Sequence, residues 1–132
     1  MPYTALATAL AAAAALTGTA TGASTEPAPE SRLSISVSET GDPADAKTYN
    51  LTCGPAGGDH SNASAACDEL TTAGEGVFSP VSRSAVCTQM HGGDATAHIT
   101  GVWAGAPVDA TFSRSNGCEM HRWDQLGTVL AG

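Results

Sequence analysis

The sequence predicts a small α+β domain that is stabilised by disulfide bonds. Its 132 residues are enough for one domain, and a 42% share of hydrophobic residues is enough for a modest core. Segments in which apolar and polar residues alternate indicate two β-hairpins, and an alanine-rich segment between the hairpins indicates a helix. Aromatic residues make up only 5% of the chain, so the core is expected to be thin and to need covalent support.

The N-terminal segment is predicted to lie outside this domain. An apolar run from Ala5 to Leu16 is too short to span a bilayer and is followed by small residues that suit a signal peptidase. We therefore interpret residues 1–23 as a secretory signal peptide, with cleavage after Ala20 as the alternative. Residues 24–31, which contain prolines and acids, are interpreted as a disordered spacer. The domain itself is assigned to residues 32–132.

The first hairpin is predicted from the segments RLSISVS and KTYNLTC. The alternating apolar residues are Leu33, Ile35 and Val37 in the first segment and Tyr49, Leu51 and Cys53 in the second. A period of two residues places such side chains on one face of a strand. The residues between the segments, GDPADA, are typical of a turn, so the two strands are expected to form a hairpin with a long loop.

A helix is predicted for the next segment, SNASAACDELTTAG. Ala66 and Leu70 lie four residues apart and therefore share one helical face. Asp59 or Ser61 is suited to the N-cap position, and Gly74 is suited to end the helix.

A second hairpin is predicted further along the chain. Ala97, Ile99 and Gly101 occupy alternating positions before a tight turn at residues 104–105, and a strand from Val108 to Phe112 follows. A last short strand is predicted for residues 128–130.

The charge of the chain excludes several classes of partner. Thirteen acidic residues against five basic ones give a formal net charge of -8 at pH 7. Such a chain repels the phosphate backbone of a nucleic acid and the headgroups of an anionic membrane. We therefore expect no nucleic acid partner, and no membrane partner for the mature form.

The four cysteines are predicted to form two disulfide bonds, because an even number of cysteines in a secreted chain is typical of a disulfide framework. Three pairings of Cys53, Cys67, Cys87 and Cys118 can be drawn. The sequential pairing closes rings that are worth about 3 and about 4 kcal/mol of unfolded-state entropy. A zinc site is disfavoured because the chain has no Cys-x-x-Cys motif and its histidines are dispersed. We expect no metal and no cofactor.

Five short motifs follow one another along the domain. They are LTC at 51–53, SAACxEL at 64–70, VCT at 86–88, GVWxGxxV at 101–108 and FxRxNGCEM at 112–120. In their order and spacing they resemble the Streptomyces subtilisin inhibitor family, from about Leu33 to the C-terminus. The resemblance implies a five-stranded antiparallel sheet packed against two helices, with disulfides Cys53–Cys67 and Cys87–Cys118. It also implies inhibition of serine proteases, chiefly subtilisins.

The resemblance assigns a reactive-site bond to the chain. In the family the scissile bond follows the second residue after the third cysteine, which here is Gln89, so the matched bond joins Gln89 to Met90. The stretch between Cys87 and Gly101 is one residue longer than in the best-known members, and this leaves Met90 as the alternative specificity residue. The other residues implied by the resemblance are Cys87, Thr88 and His91 in the reactive loop and Asn116 as a hydrogen-bonding support for that loop.

The sequence therefore predicts a secreted, extracellular inhibitor that presents a disulfide-anchored loop as a substrate mimic. A disulfide at the base of the loop keeps both ends of a cleaved bond within one covalent ring, so resealing competes with hydrolysis. The expected partner is an extracellular serine protease of the subtilisin type. The resemblance also implies a homodimer, because the sheet face around Trp103 corresponds to a face that resembles a dimer surface in the family.

Two other hypotheses belong to different functional classes. An enzyme is disfavoured because the chain has no nucleophile elbow and no paired metal ligands, and its cysteines are assigned to disulfides. The second hypothesis is a secreted binding module on the same scaffold that does not inhibit proteases. One example of a partner for such a module is a secreted transglutaminase that uses Gln89 as its acceptor.

Overall fold

The computed structural model describes residues 29–132. The predicted signal peptide, residues 1–23, and most of the predicted spacer lie outside the described residues. The first strand begins at Ser31, and the N–H of Glu30 donates a hydrogen bond of 3.3 Å to the carbonyl of Gly54. Among the described helices, none has the length and apolar character needed to cross a membrane.

The described chain forms one antiparallel sheet and three α-helices. The strands are β1 (Ser31–Ser38), β2 (Lys47–Cys53), β3 (Gly57–Gly58), β4 (Thr96–Trp103) and β5 (Ala106–Ser113), and the helices are α1 (Ala63–Ala73), α2 (Gly117–Asp124) and α3 (Gly127–Ala131). Short 3-10 helices cover Pro43–Asp45 and Glu75–Phe78. The strand order is β3-β2-β1-β4-β5. The predicted α+β class and five-stranded antiparallel sheet are confirmed, with three α-helices where the resemblance implied two.

The central strand is β1, which pairs with β2 on one side and with β4 on the other. Ile35 lies opposite Tyr49 and Ile99 and is fully buried. Gly101 is required at its position, because its φ is +133° and a Cβ atom there would overlap the carbonyl oxygen of Arg32. The two predicted hairpins are both present, and the Ala104–Gly105 turn connects β4 to β5.

The core lies between the sheet and the helices. Its largest fully buried side chains are Phe112, Ile35, Leu51, Leu70, Ile99, Leu126 and Val129. Ala66 and Leu70 are the buried residues of α1, as their spacing predicted. Apart from Tyr49 and Gly101, which lie outside it, the alternating residues of both hairpins join this helical face in a single apolar cluster.

The start of α1 differs from the prediction. Its N-cap is Asn62, and neither Asp59 nor Ser61 occupies that position. The carboxylate of Asp59 accepts a hydrogen bond of 2.5 Å from the N–H of Asn50 and so joins the loop to β2. Gly74 ends the helix with a φ of +78°, as predicted.

The predicted strand at residues 128–130 is wrong, because these residues lie in α3. The carboxylate of Glu69 on α1 accepts hydrogen bonds from the N–H groups of Thr128, at 2.9 Å, and Val129, at 3.0 Å. A carboxylate in this position satisfies amide groups that have no partner within the helix. This contact between helices outweighs the strand preference of the β-branched residues. The fifth strand is instead the two-residue β3, which pairs with Leu51 and Thr52.

The two predicted disulfides are confirmed. Cys53 is bonded to Cys67 with a Cα–Cα distance of 5.7 Å, and Cys87 is bonded to Cys118 with a Cα–Cα distance of 5.3 Å. Both distances lie within the range that a disulfide spans. Since all four thiols are oxidised, the cysteines are not available as metal ligands. Across residues 29–132, no cluster of three His, Cys, Asp or Glu side chains is arranged to hold a metal ion.

Candidate functional site

The candidate site is the irregular segment that joins the Glu75–Phe78 turn to β4. Residues 79–95 contain no helix or strand, and they form the longest such stretch of the described chain. Loops of more than about 12–15 residues are uncommon in compact domains and are often functional. Gln89, Met90 and His91 are exposed here, and the Met90 side chain is 67% exposed.

The segment is anchored before Gln89 by one covalent bond and one hydrogen bond. Cys87 is tied to Cys118 at the start of α2, and the N–H of Gly117 donates to the carbonyl of Thr88 at 3.0 Å. A Cβ atom on Gly117 would overlap the Thr88 side chain. Glycine at this position therefore lets the helix start approach the loop closely.

A second anchor follows at Gly92. Its N–H donates to the carbonyl of Arg114 at 2.7 Å, and the Nε of Arg114 donates back to the carbonyl of Gly92 at 3.1 Å. A Cβ atom on Gly92 would overlap the sulfur of Met120. Residues 89–91 thus lie between two fixed points while their own side chains remain exposed to solvent.

Arg114 is itself held in place by α2. Its guanidinium makes an ion pair of 3.3 Å with the carboxylate of Asp124 and lies 5.7 Å from the centre of the Trp123 ring. Both contacts restrict the planar donor group to one orientation. Arg114 therefore links α2 to Gly92 through its side chain and through its own carbonyl.

The helix that carries these anchors is fixed to the sheet by a buried arginine. The Nε of Arg122 donates to the carbonyl of Val77 at 2.9 Å, and its Nη1 donates to that of Thr111 at 2.6 Å. Its guanidinium lies 4.0 Å from the centre of the Phe112 ring and 3.6 Å from the carboxylate of Glu119. Burial lowers the pKa of Arg122, whereas Glu119 acts in the opposite direction. These bonds hold α2 against β5.

Asn116 contributes to the site as the N-cap of α2. Its side-chain oxygen accepts a hydrogen bond of 2.9 Å from the N–H of Glu119. Asn116 therefore orders the helix start on which Cys118 lies, while the hydrogen bonds described above for the loop come from Gly117 and Arg114. Its predicted role in bracing the loop stays a prediction.

His91 orders the turn that follows the exposed residues. Its Nδ1 accepts a hydrogen bond of 3.2 Å from the N–H of Gly93, and its Nε2 lies 3.9 Å from the carboxylate of Asp94. Both side chains are exposed, so this contact contributes little to stability.

Sequence reasoning missed three residues of this site, namely Gly92, Arg114 and Gly117. Arg114 acts mainly on the backbone of a residue 22 positions earlier, and no local pattern reports such a contact. The available signal was its place in the FxRxNGCEM motif. The two glycines are explained by close approaches that only the tertiary structure reveals.

Arg114→Ala is expected to loosen the Gly92 end of the segment. The substitution removes the donor to the Gly92 carbonyl, so local opening becomes easier and exchange of the Gly92 amide rises by about tenfold. Amide hydrogen exchange measured by NMR checks this result. Arg83→Ala, which changes an exposed arginine in the same segment, is the matched control. Equal exchange in the two variants would show that the Arg114 side chain does not fix the segment.

Comparison with known proteins places the chain in a family. Residues 28–116, about two thirds of the chain, match the family model described as subtilisin inhibitor-like. The chain is also similar to sermetstatin from Streptomyces caespitosus, as seen in a crystal structure of its complex with subtilisin from Bacillus licheniformis. That similarity has 29% identity and a TM-score of 0.49, and covers 76% of this chain and 96% of the other. A search of curated proteins found no match. The chain therefore belongs to the subtilisin inhibitor-like family, a family of protease inhibitors and not of enzymes.

Proposed function

We propose that this chain is a secreted inhibitor of subtilisin-type serine endopeptidases. Residues 87–91 form its reactive loop, and the bond between Gln89 and Met90 is the one offered to the protease. Family membership supports protease inhibition. The assignment of the reactive loop and its bond is supported by the anchoring of the backbone at Thr88 and at Gly92, on either side of exposed residues.

This anchoring suits a substrate mimic because it retains both products of a cleavage. When a serine attacks the Gln89 carbonyl, the acyl side stays joined to α2 through Cys87 and Thr88. The new amine on Met90 is two residues from the bonds at Gly92, so it stays close to the acyl group. Holding reactants together in this way favours the intramolecular back reaction. Resealing of the bond therefore competes with hydrolysis.

The same anchors favour tight binding to the protease. A loop that is already ordered loses less conformational entropy on association. An interface of roughly 1,600 Å² can then reach high affinity.

Two exposed apolar side chains, one at the bond itself and one three residues before it, are suited to contact the partner. Val86 is 99% exposed and Met90 is 67% exposed. Burying a side chain of this kind on a partner contributes about 1.5–3 kcal/mol when burial is complete.

The proposal includes secretion and self-association. Two disulfides are typical of proteins that fold in an oxidising compartment, which supports an extracellular location. We extend the proposal to a homodimer formed through the sheet face near Trp103, where the neighbouring Val102 is an exposed apolar residue. Sedimentation of the mature protein tests this part separately.

Titration of subtilisin with the purified protein tests the inhibitory function. We expect residual protease activity to fall in proportion to added protein and to reach zero near one inhibitor chain per enzyme. The inhibitor should remain uncleaved for most of the incubation when followed by mass spectrometry. Full activity at excess protein would contradict the proposal and favour the binding-module hypothesis. Rapid cleavage after Gln89 would instead identify an ordinary substrate.

A further inference from the structure

The pair Asn116–Gly117 combines a chemically labile sequence with a structure that restrains it. The chain has three asparagines, and Asn116 is the one followed by glycine, whereas Leu51 follows Asn50 and Ala63 follows Asn62. We infer that Asn116 is a site of spontaneous deamidation and that the loop anchor keeps this reaction slow. The inference depends on the anchors described above and not on protease inhibition.

The reaction uses the backbone nitrogen of Gly117 as its nucleophile. This nitrogen attacks the side-chain Cγ of Asn116, a new C–N bond forms, and the bond from Cγ to Nδ2 breaks with release of ammonia. Water then opens the cyclic imide at either carbonyl and leaves aspartate or isoaspartate. Glycine favours the attack because it has no side chain to hinder the approach, and asparagine is among the thermolabile residues.

Three features of the folded protein oppose this attack. The Gly117 N–H is engaged by the carbonyl of Thr88 at 3.0 Å. The side-chain oxygen of Asn116 is engaged by the N–H of Glu119 at 2.9 Å, which ties the side chain to the first turn of α2. The backbone of Asn116 is extended, with a ψ of 177°, and ring closure requires it to rotate out of this conformation. The bond to Thr88 depends on the loop remaining anchored.

Release of the loop would therefore allow an irreversible deamidation at Asn116, next to the Gly117 N–H that anchors the loop. Isoaspartate adds a methylene group to the main chain two residues before Cys118 and removes the regular N-cap of α2. Either product adds a negative charge at this point. A loop whose support has become isoaspartate cannot return to its original anchor geometry.

The test compares the deamidation rate at Asn116 in four samples incubated at neutral pH. They are the native protein, the reduced and denatured protein, the Cys87→Ser/Cys118→Ser variant and the Cys53→Ser/Cys67→Ser variant. Peptide mapping by mass spectrometry and isoaspartyl methyltransferase labelling follow the products. Asn50 and Asn62 serve as internal controls within each sample.

We expect Asn116 to deamidate at least about tenfold faster in the denatured protein and in the Cys87→Ser/Cys118→Ser variant than in the native protein. The Cys53→Ser/Cys67→Ser variant, if folded by circular dichroism, should keep the native rate. Equal rates in native and denatured protein would overturn the inference, as would equal acceleration in two folded variants. If a variant does not fold, the rate of hydrogen exchange of the Gly117 amide in the native protein tests the inference instead. Slow exchange supports the restraint, and unprotected exchange refutes it.

Discussion

Gln89→Lys is expected to convert the protein into an inhibitor of trypsin. In the proposed orientation the side chain of residue 89 enters the primary specificity pocket of the protease. A lysine there can make a charge-assisted contact with the acid of a trypsin-type pocket, which the neutral Gln89 amide makes only weakly. We expect trypsin affinity to rise by about two to three orders of magnitude, in line with the energies of buried charge pairs. Inhibition constants for trypsin, measured for both proteins, check this.

The companion variant Gln89→Met tests how well residue 89 fits the apolar pocket of subtilisin. Desolvation of the Gln89 amide without matched partners costs roughly 1–3 kcal/mol, whereas a methionine gains transfer free energy. Subtilisin inhibition should therefore become about tenfold tighter or more. Met90→Lys is the matched control and should change trypsin inhibition much less than Gln89→Lys does. If Met90→Lys shifts specificity and Gln89→Lys does not, Met90 is the specificity residue.

Loss of the Cys87–Cys118 bond is expected to turn the inhibitor into an ordinary substrate. The Cys87→Ser/Cys118→Ser variant should lose roughly 2–5 kcal/mol of unfolding free energy, because the disulfide closes a ring with a sequence separation of 31. Cleavage between residues 89 and 90 would then release the acyl side from α2. Urea unfolding and a time course of cleavage by mass spectrometry measure the two effects.

The second disulfide supplies the control for this prediction. Cys53→Ser/Cys67→Ser removes a bond with a sequence separation of 14, for which the same model gives about 3 kcal/mol. This variant should be destabilised but should still resist cleavage after Gln89 at temperatures where it is folded. Equal susceptibility of the two variants would show that resistance reflects global stability and not the anchor beside the bond.

The sheet could be predicted where the sequence alternates. Leu33 and Ile35 in β1, and Ala97 and Ile99 in β4, follow a period of two, and their burial on one face explains why the pattern is reliable. The α1 face of Ala66 and Leu70 was visible for the same reason.

Elements stabilised by distant contacts could not be predicted in this way. Residues 128–130 have the composition of a strand, but Glu69 caps them as a helix from nearly sixty positions away. The strand Gly57–Gly58 has no side chains to form a pattern.

In the candidate site, too, some features follow from the local sequence and others depend on distant contacts. The cysteines and the exposed residues between them are visible in the sequence, and motif resemblance places them in a loop. The bonds of Arg114 are made to a backbone carbonyl and to Asp124 on α2, so they depend on the packing of α2 against β5. That packing is secured by the buried guanidinium of Arg122, which no local pattern distinguishes from a surface arginine.

The anchors of the exposed loop come from one short stretch of chain, residues 114–118, and this makes the loop portable. A graft would consist of two peptide segments, 86–92 and 114–118, inserted into an unrelated scaffold. The recipient must offer two backbone positions near the 5.3 Å Cα–Cα separation of the Cys87–Cys118 pair. It must also leave room for close backbone contact at Gly92 and Gly117. A host that meets these requirements, and that fixes the guanidinium of residue 114 as Asp124 and Trp123 of α2 do here, would acquire the presentation of the loop without the sheet.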